Sequence, residues 1–163
     1  MIEVVVFDLD GTLVRLPIDY KPLFEEFRRI MRVDEVRPIV DAVSRVDGKT
    51  RELVFGAWDR AELAVSGKIT VNEEGMKTYR KFWDKRKALV TLQGKAVVQT
   101  ILRQFGLAFD FVVTREDALF RVDQLTKAIN QLKAEPRNAL FVGNTDDDVA
   151  AAGKIGCQFL RVK

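Results

Sequence analysis

The sequence contains no histidine, one cysteine and four prolines among its 163 residues. The absence of histidine excludes Ser-His-Asp and Cys-His catalysis, histidine-ligated zinc and imidazole general bases. Any chemistry must therefore use carboxylates, hydroxyls, lysine or arginine. The single cysteine, Cys157, cannot form an internal disulfide, which favours a reducing cytoplasmic environment.

Long hydrophobic runs and a strong excess of one charge are also missing. No apolar stretch approaches about 18 residues, so we expect no membrane span. The net charge is only +3, which does not indicate the concentrated basic face of a nucleic-acid-binding protein. With 47% hydrophobic and 31% charged residues, the composition is that of a globular domain with a sizeable core.

The most informative stretch is residues 4–14, which read VVVFDLDGTLV. Its apolar part is typical of a strand buried on both faces. Asp8 and Asp10 follow at the carboxyl end, where open parallel sheets bind ligands. We expect Gly11 to turn the chain, so that one acid offers its side chain to a ligand and the other its backbone carbonyl. Two close carboxylates repel each other unless a cation or a shared proton lies between them, and Mg²⁺ is the cation best suited to oxygen ligands.

The second half of the chain alternates between strand and helix patterns. After a first strand at about residues 3–8, the sequence predicts strands at 88–92, 109–114, 139–143 and 157–162. Helices are predicted at about 94–105, 118–133 and 146–154. Strands that alternate with helices of this length predict right-handed crossovers and a five-stranded parallel sheet.

The strand pattern disappears between residues 17 and 66. Three amphipathic helices are predicted there: one capped by Asp19, one capped by Asp34, and one at about 50–65. This helical insertion either covers the site or packs on the sheet as an elaboration. A fourth helix is predicted at about 72–87, with Met76, Tyr79 and Trp83 as its buried stripe.

Residues 7–14, FDLDGTLV, resemble the first motif of the haloacid dehalogenase-like hydrolases, most of which are Mg²⁺-dependent phosphatases. The resemblance implies an α/β fold with a doubly wound, Rossmann-like parallel sheet. It implies a core formed by residues 1–14 and 70–163. It also implies a small all-helical cap at residues 15–69, similar to the branch of phosphoglycolate phosphatases.

The same resemblance implies roles for individual residues. Asp8 would be the nucleophile that forms an aspartyl-phosphate, and Asp10 the acid and base. Thr91 fits the second motif, a hydroxyl residue at a strand end that holds a phosphate oxygen. The lysine of the third motif is missing. Arg121 is either its replacement or a residue on the surface of a helix, and Lys127 is the second choice.

The fourth motif of the family matches residues 141–152, FVGNTDDDVAAA, with one departure. Asn144 stands where the first metal-binding aspartate belongs, and Asp148 fills the second acid position. The resemblance thus assigns Mg²⁺ to Asp8, Asp10, Asn144 and Asp148. Because asparagine brings no charge, we expect metal binding weaker by about 1–3 kcal/mol. Asp146 and Asp147 either compensate for that charge or are ordinary first-turn acids of a helix.

Together these features predict a cytoplasmic, Mg²⁺-dependent phosphatase, monomeric or homodimeric, that acts on a small phosphorylated substrate. Binding to nucleic acid or to a membrane is not expected. Two alternatives stay open. One is a phosphotransferase or sugar-phosphate mutase that uses the same aspartyl-phosphate. The other is a regulatory or binding protein with an impaired site, which Asn144 and the missing lysine favour.

Overall fold

A computed structural model describes all 163 residues of the chain. Its central strand is β1 (Val4–Phe7), and all four side chains of this strand are buried. β-Branched residues form it because such side chains pack well between two covering layers. The other strands are β2 (Val14–Arg15), β3 (Thr70–Val71), β4 (Arg86–Val90), β5 (Phe111–Val113), β6 (Ala139–Gly143) and β7 (Gln158–Arg161).

Five of these strands form one parallel sheet in the order β5-β4-β1-β6-β7, which confirms the predicted architecture. Phe7 pairs with Leu89 on one side and with Val142 on the other. The chain winds from β1 through β4 to β5 and then crosses to β6 and β7. The winding direction therefore reverses at β1, and ligands bind at such a reversal in open α/β sheets.

Helices cover both faces of this sheet. Val5 and Phe7 belong to the hydrophobic cluster that includes residues of α4 and α5. Val4 and Val6 point the other way, into the cluster that includes residues of α6 and α7. This alternation follows from the two-residue period of a strand. The bounds of these helices are α4 (Glu73–Lys81), α5 (Lys95–Phe105), α6 (Arg121–Gln131) and α7 (Asp146–Ile155).

The segment between β2 and β3 is helical, as predicted, with α1 (Tyr20–Met31), α2 (Ile39–Ser44) and α3 (Gly48–Ala64). These helices form a hydrophobic cluster of their own, centred on Phe27 and Trp58. The two ends of the segment meet in a short antiparallel ladder, in which Val14 pairs with Val71. The ladder closes the segment at its base. None of the helices is both long and apolar enough to cross a membrane.

Asp19 caps α1, as predicted, because its carboxylate accepts a hydrogen bond from the Lys21 N–H. The prediction of Asp34 as a second cap is wrong. α2 begins only at Ile39, and its N-cap residue is Pro38. Between them the Glu35 carboxylate accepts hydrogen bonds from the N–H groups of Val36 and Arg37, and residues 35–37 form an irregular segment instead of a helix.

The predicted helix at 72–87 is also too long. α4 ends at Lys81, because β4 begins at Arg86 and the chain must turn before it. Trp83 lies in that turn with 77% of its surface exposed, so it is not part of a buried stripe. The ammonium group of Lys87 is drawn inward, where it donates to the carbonyls of Phe82, Trp83 and Lys85.

The backbone of α4 packs directly against the turn that follows Asp10. A Cβ atom on Gly75 would overlap the carbonyl oxygen of Thr12, whereas a Cβ on Gly153, in α7, would meet nothing within 4 Å. We expect Gly75→Ala to lower the free energy of unfolding by about 1–3 kcal/mol, as overpacking does. The matched Gly153→Ala is expected to raise it by about 0.5–1 kcal/mol. Urea titration of both variants measures the difference, and equal effects would contradict the close approach of α4.

Candidate active site

Asp8 lies at the carboxyl end of β1, between β4 and β6. Its N–H donates to the Val142 carbonyl at 2.9 Å, so β6 fixes its backbone. Only 6% of its side chain is exposed. Burial raises the pKa of this carboxyl to about 6, although the Arg121 guanidinium opposes the shift. A carboxylate placed here is costly unless the site uses it.

Asp10 follows on the turn that the sequence predicted. Gly11 adopts a φ of +83°, which glycine tolerates and other residues rarely do. The Asp10 carboxylate accepts a hydrogen bond from the Leu16 N–H at 3.0 Å. Burial raises the pKa of Asp10, a shift that favours the protonated form. The negative charge of Asp10 also contributes to the raised pKa of Asp8, so the two acids act on each other.

Arg121 is the first residue of α6, and its guanidinium group lies within the site. Its Nη2 donates to Asp8 Oδ1 and its Nε to Asp148 Oδ1, each at 3.0 Å. Its Nη1 donates to Gln124 Oε1 at 2.7 Å. Of the two interpretations that the sequence left open, the structure thus places Arg121 against the acids and not on a helix surface. Lys127 is exposed and forms no ion pair.

Asp148 is fully buried in the first turn of α7. Its Oδ2 accepts hydrogen bonds from the N–H groups of Asn144 and Thr145, at 3.1 and 3.2 Å. Thr145 completes the capping box by accepting from the Asp148 N–H. With Oδ1 bonded to Arg121, both carboxylate oxygens of Asp148 already have partners.

The Thr12 hydroxyl connects Asp8 and Asn144. It lies 3.4 Å from Asp8 Oδ2 and 3.2 Å from Asn144 Oδ1, so both oxygens converge on one small volume. A carboxylate oxygen and an amide oxygen are ligands that Mg²⁺ accepts. The residues therefore fit a divalent cation, with a single formal negative charge between them. No group of three or more acidic, histidine or cysteine side chains is arranged so that it could hold a metal ion.

Thr91 lies one residue beyond β4 and is fully buried. Its hydroxyl donates to the Gln93 side chain and accepts from the Gln93 N–H, so it stabilises its own turn. Its carbonyl accepts from Gln124 Nε2 at 2.9 Å. Gln124 also bonds Arg121, and thereby links the predicted second and third motifs. Gln124 carries no recognisable sequence signal, because it lies in an ordinary amphipathic helix.

A second buried network joins the helical segment to the sheet, and sequence reasoning missed it. The side chain of Arg115 is fully buried, with Nη1 2.9 Å from both oxygens of Glu62 and Nη2 paired with Asp59. Its guanidinium carbon lies 4.5 Å from the centre of the Trp58 ring. Glu62 also accepts from the Gly94 N–H, at the start of α5.

The charge of Glu62 in this network and the charge of Asp10 in the candidate site both act on one residue, Tyr20. Burial raises the pKa of Glu62 to about 7, and Arg115 opposes the shift. Tyr20, at the start of α1, has a pKa raised to about 12, by burial first and then by the charges of Asp10 and Glu62. Tyr20 therefore lies close enough to sense both acids. No short motif contains Tyr20, so sequence reasoning did not select it.

An open cleft of about 480 Å³ leads to Arg121 and Asp148. It lies between the start of α2 on one side and the first turns of α6 and α7 on the other. We call this space the α2 cleft. Most of its lining residues form either an apolar wall or an acidic rim. Arg121 lines the cleft and also contacts Asp8.

Comparison with known proteins finds a family that the second half of the chain resembles. The sequence profile of haloacid dehalogenase-like hydrolases matches residues 83–162, which span β4 to β7 with the helices between them. Residues 83–162 of the chain therefore carry the sequence pattern of this family. No curated protein matches the chain in sequence.

Solved structures share the fold over almost the whole length of the chain. A haloacid dehalogenase-like hydrolase from Bacteroides fragilis superposes with a TM-score of 0.71 at 19% identity, covering 100% of this chain and 88% of its own. A haloacid dehalogenase phosphatase from Thermococcus onnurineus gives 0.65 at 22% identity, covering 99% and 86%. CbbY from Rhodobacter sphaeroides, solved in complex with phosphate, gives 0.66 at 19% identity, covering 98% and 85%.

The part of the chain that the family profile matches does not include Asp8 or Asp10. Both acids nevertheless lie beside the matched residues, because β1 pairs with β4 on one side and with β6 on the other. Arg121, Asn144 and Asp148 belong to the matched residues. The candidate site is therefore assembled from the end of β1 together with residues of the matched region.

Proposed function

We propose that the protein is a phosphatase that hydrolyses a small phosphomonoester through an aspartyl-phosphate on Asp8. The observation that supports this best is the Arg121 guanidinium, which lies 3.0 Å from Asp8 at the point where the sheet reverses its winding. A guanidinium matches the oxygens of a phosphoryl group and offsets their charge. The phosphatase from Thermococcus onnurineus, which shares the fold, is consistent with the proposal.

In the first step, an oxygen of Asp8 attacks phosphorus, and the bond from phosphorus to the leaving oxygen breaks. Asp10 gives its proton to that oxygen, for which its raised pKa suits it. In the second step, water attacks the phosphorus of the aspartyl-phosphate. Asp10 takes the proton of the water, and inorganic phosphate leaves as Asp8 becomes a carboxylate again. Covalent catalysis divides one difficult displacement into two easier ones.

Arg121 and the start of α6 would hold the phosphoryl oxygens. The N-cap residue of α6, Phe120, makes no side-chain capping bond, so the first N–H groups of the helix are free to meet an anion. Thr91 would contribute its hydroxyl only after releasing Gln93, to which it donates in this structure. We propose that Asp148 keeps Arg121 in place instead of binding the metal itself, since both of its oxygens are bonded.

Magnesium would be held by Asp8 Oδ2, the Asp10 carbonyl and Asn144 Oδ1. When bound, it would neutralise charge between the phosphoryl group and the nucleophile. Asp146 does not replace the charge missing at Asn144, because 97% of its side chain is exposed and it pairs with Arg161. The protein's own residues thus supply less negative charge to this cation than two aspartates would.

Asn144→Asp is expected to strengthen Mg²⁺ binding by about 1–3 kcal/mol, which corresponds to about 5- to 150-fold in the dissociation constant. Calorimetric titration of Mg²⁺ measures this without any substrate. Asn138→Asp adds the same charge at the start of β6, at the opposite edge of the sheet, and serves as the control. Equal affinity of the two variants would argue against the metal site.

Residues 15–69 would act as the cap that covers the site and selects the substrate. Their separate hydrophobic cluster and the β2–β3 ladder at their base support a unit distinct from the core of residues 1–14 and 70–163. The same proposal places the enzyme in the cytoplasm as a monomer or homodimer. Sedimentation at several protein concentrations measures the oligomeric state.

The test is hydrolysis of p-nitrophenyl phosphate and a panel of phosphoesters at several Mg²⁺ concentrations. Release of inorganic phosphate by the natural chain is the expected result. Transfer of the phosphoryl group to a second sugar, found by product analysis, would instead indicate a phosphotransferase or mutase. No turnover with any ester or divalent ion would favour the regulatory or binding protein, whose impaired site Asn144 would explain.

A further inference from the structure

The α2 cleft has one apolar wall and an acidic rim. Its apolar lining comes from the start of α2, from the turn after β4 and from the residues that enter α6: Pro38, Ile39, Val40, Leu92, Leu119 and Phe120. Phe120 is 41% exposed, so its ring is accessible to a ligand in the cleft. It immediately precedes Arg121 in the chain. A ligand whose phosphate meets Arg121 would therefore lay its organic part against Phe120.

The charges that line the cleft are mostly negative. Asp41 lies on the α2 side and Asp147 on the α7 side. Arg121 is the one cationic side chain in the lining, and it already binds Asp8 and Asp148. One positive charge shared between two carboxylates can accept a phosphoryl group, but no second cation remains for another anionic group of the same ligand.

We propose, on the basis of the phosphatase function above, that the substrate carries its phosphate as its only anionic group and that its organic part is apolar or aromatic. A carboxylate or a second phosphate would lie among Asp41, Asp147 and the apolar wall, without a partner. Burying an unpaired charge and placing it near like charges are both unfavourable. Sites discriminate most strongly against ligands whose polar groups are left unpaired.

This inference selects against substrates such as phosphoglycolate, in which a carboxylate lies one carbon from the phosphoester. It favours aryl and alkyl monophosphates, and it tolerates a cationic group at the rim because Asp41 and Asp147 would attract it. A volume of about 480 Å³ accommodates a ligand of one or two rings.

The experiment compares kcat/KM for 1-naphthyl phosphate, phenyl phosphate, 4-carboxyphenyl phosphate and phosphoglycolate. Phenyl and naphthyl esters are expected to exceed the carboxylated aryl ester, which differs from phenyl phosphate by one charged group, by about tenfold or more. Asp41→Lys is expected to bring the carboxylated ester to within a few-fold of phenyl phosphate. Asp34→Lys makes the same charge change outside the cleft and is expected to leave the ratio unchanged.

The apolar wall is tested separately. Phe120→Ala is expected to raise KM for 1-naphthyl phosphate about tenfold and to change KM for methyl phosphate little, because methyl phosphate does not reach the ring. Trp83→Ala removes another exposed aromatic side chain, which lies outside the cleft, and serves as the control. An unchanged preference in Phe120→Ala would contradict the assignment of this wall.

The results separate this inference from the function on which it rests. If phosphoglycolate or 4-carboxyphenyl phosphate is hydrolysed as fast as phenyl phosphate, the substrate class is wrong and the phosphatase function stands. If no ester is hydrolysed, the proposed function is wrong. Calorimetric titration with phenyl phosphate and 4-carboxyphenyl phosphate then tests whether the α2 cleft prefers the ligand without a carboxylate. Tighter binding of phenyl phosphate would support the inference, and equal binding would overturn it.

Discussion

Asp8→Asn is expected to lower kcat for p-nitrophenyl phosphate by on the order of 1,000-fold or more, because it removes the atom that attacks phosphorus. The fold is expected to persist. An asparagine has the same size, and its carbonyl oxygen still accepts a hydrogen bond from Arg121. Burial raises the pKa of Asp8 to about 6, so the charge that the variant loses is one that the folded state accommodates with difficulty. Above that pKa, unfolding by urea is therefore expected to show no loss of stability.

Two measurements accompany this variant. Asp146→Asn removes a neighbouring acid of α7 that is almost fully exposed, and it is expected to retain turnover. Mass spectrometry of the natural chain, quenched in acid during turnover, should find a phosphorylated peptide that contains Asp8. A variant that retained most of the natural activity, or a phosphoryl group on another residue, would remove Asp8 from the mechanism.

The parts of the fold that local pattern controls were predicted from the sequence. The apolar run of residues 4–7 correctly predicted the central strand. The alternation of strands and helices after residue 86 correctly predicted the other four strands of the sheet and their parallel direction. Helix ends were predicted less well. The basic residues 85–87 resemble the end of a helix, but the sheet takes Arg86 and Lys87 into β4 because pairing with β1 outweighs helical propensity.

The candidate site was predicted where it rests on a short motif and missed where it rests on distant contacts. Asp8 and Asn144 could be selected because each lies in a motif of the family that the sequence resembles. Arg121 could be suggested only by its place before a helix, and its bonds to two acids depend on how α6 and α7 pack together. Thr12 lies within a recognised motif, but its contact with Asn144 also requires that β1 and β6 are neighbours in the sheet, which no local pattern specifies.

Arg115 and Glu62 show the same limit most clearly. They lie 53 positions apart in the sequence and meet only when α3 docks on the turns after β4 and β5. Arg115 follows a strand, where an exposed cation would be ordinary, and Glu62 lies in a helix rich in charges. Neither residue type is expected to be fully buried unless it has a partner. The sequence alone does not name that partner.

The pair between Arg115 and Glu62 leads to the second prediction of large effect. Arg115→Met is expected to lower the free energy of unfolding by about 3–5 kcal/mol, because it leaves the buried Glu62 without its cation. Met fills much of the same space, so the loss reports the missing charge more than a cavity. The matched control is Arg60→Met in α3, the helix that contains Glu62. Arg60 pairs with Glu26 at 3.2 Å but is 70% exposed, so its replacement should cost within about 1 kcal/mol.

The pH dependence distinguishes lost charge from lost packing. The pKa of Glu62 is raised by burial even beside Arg115, and without the guanidinium it would rise further. A raised pKa in the folded state contributes stability that is present below the ordinary glutamate pKa and is lost as the pH rises through the folded pKa. The deficit of Arg115→Met should therefore be small near pH 4 and grow through pH 7 and above. Adding Glu62→Gln should recover part of the loss at pH 8, because the neutral amide no longer needs a cation. A deficit that is equal at both pH values, and that Glu62→Gln does not relieve, would mean that Arg115 stabilises α3 by packing on Trp58 and not by its charge.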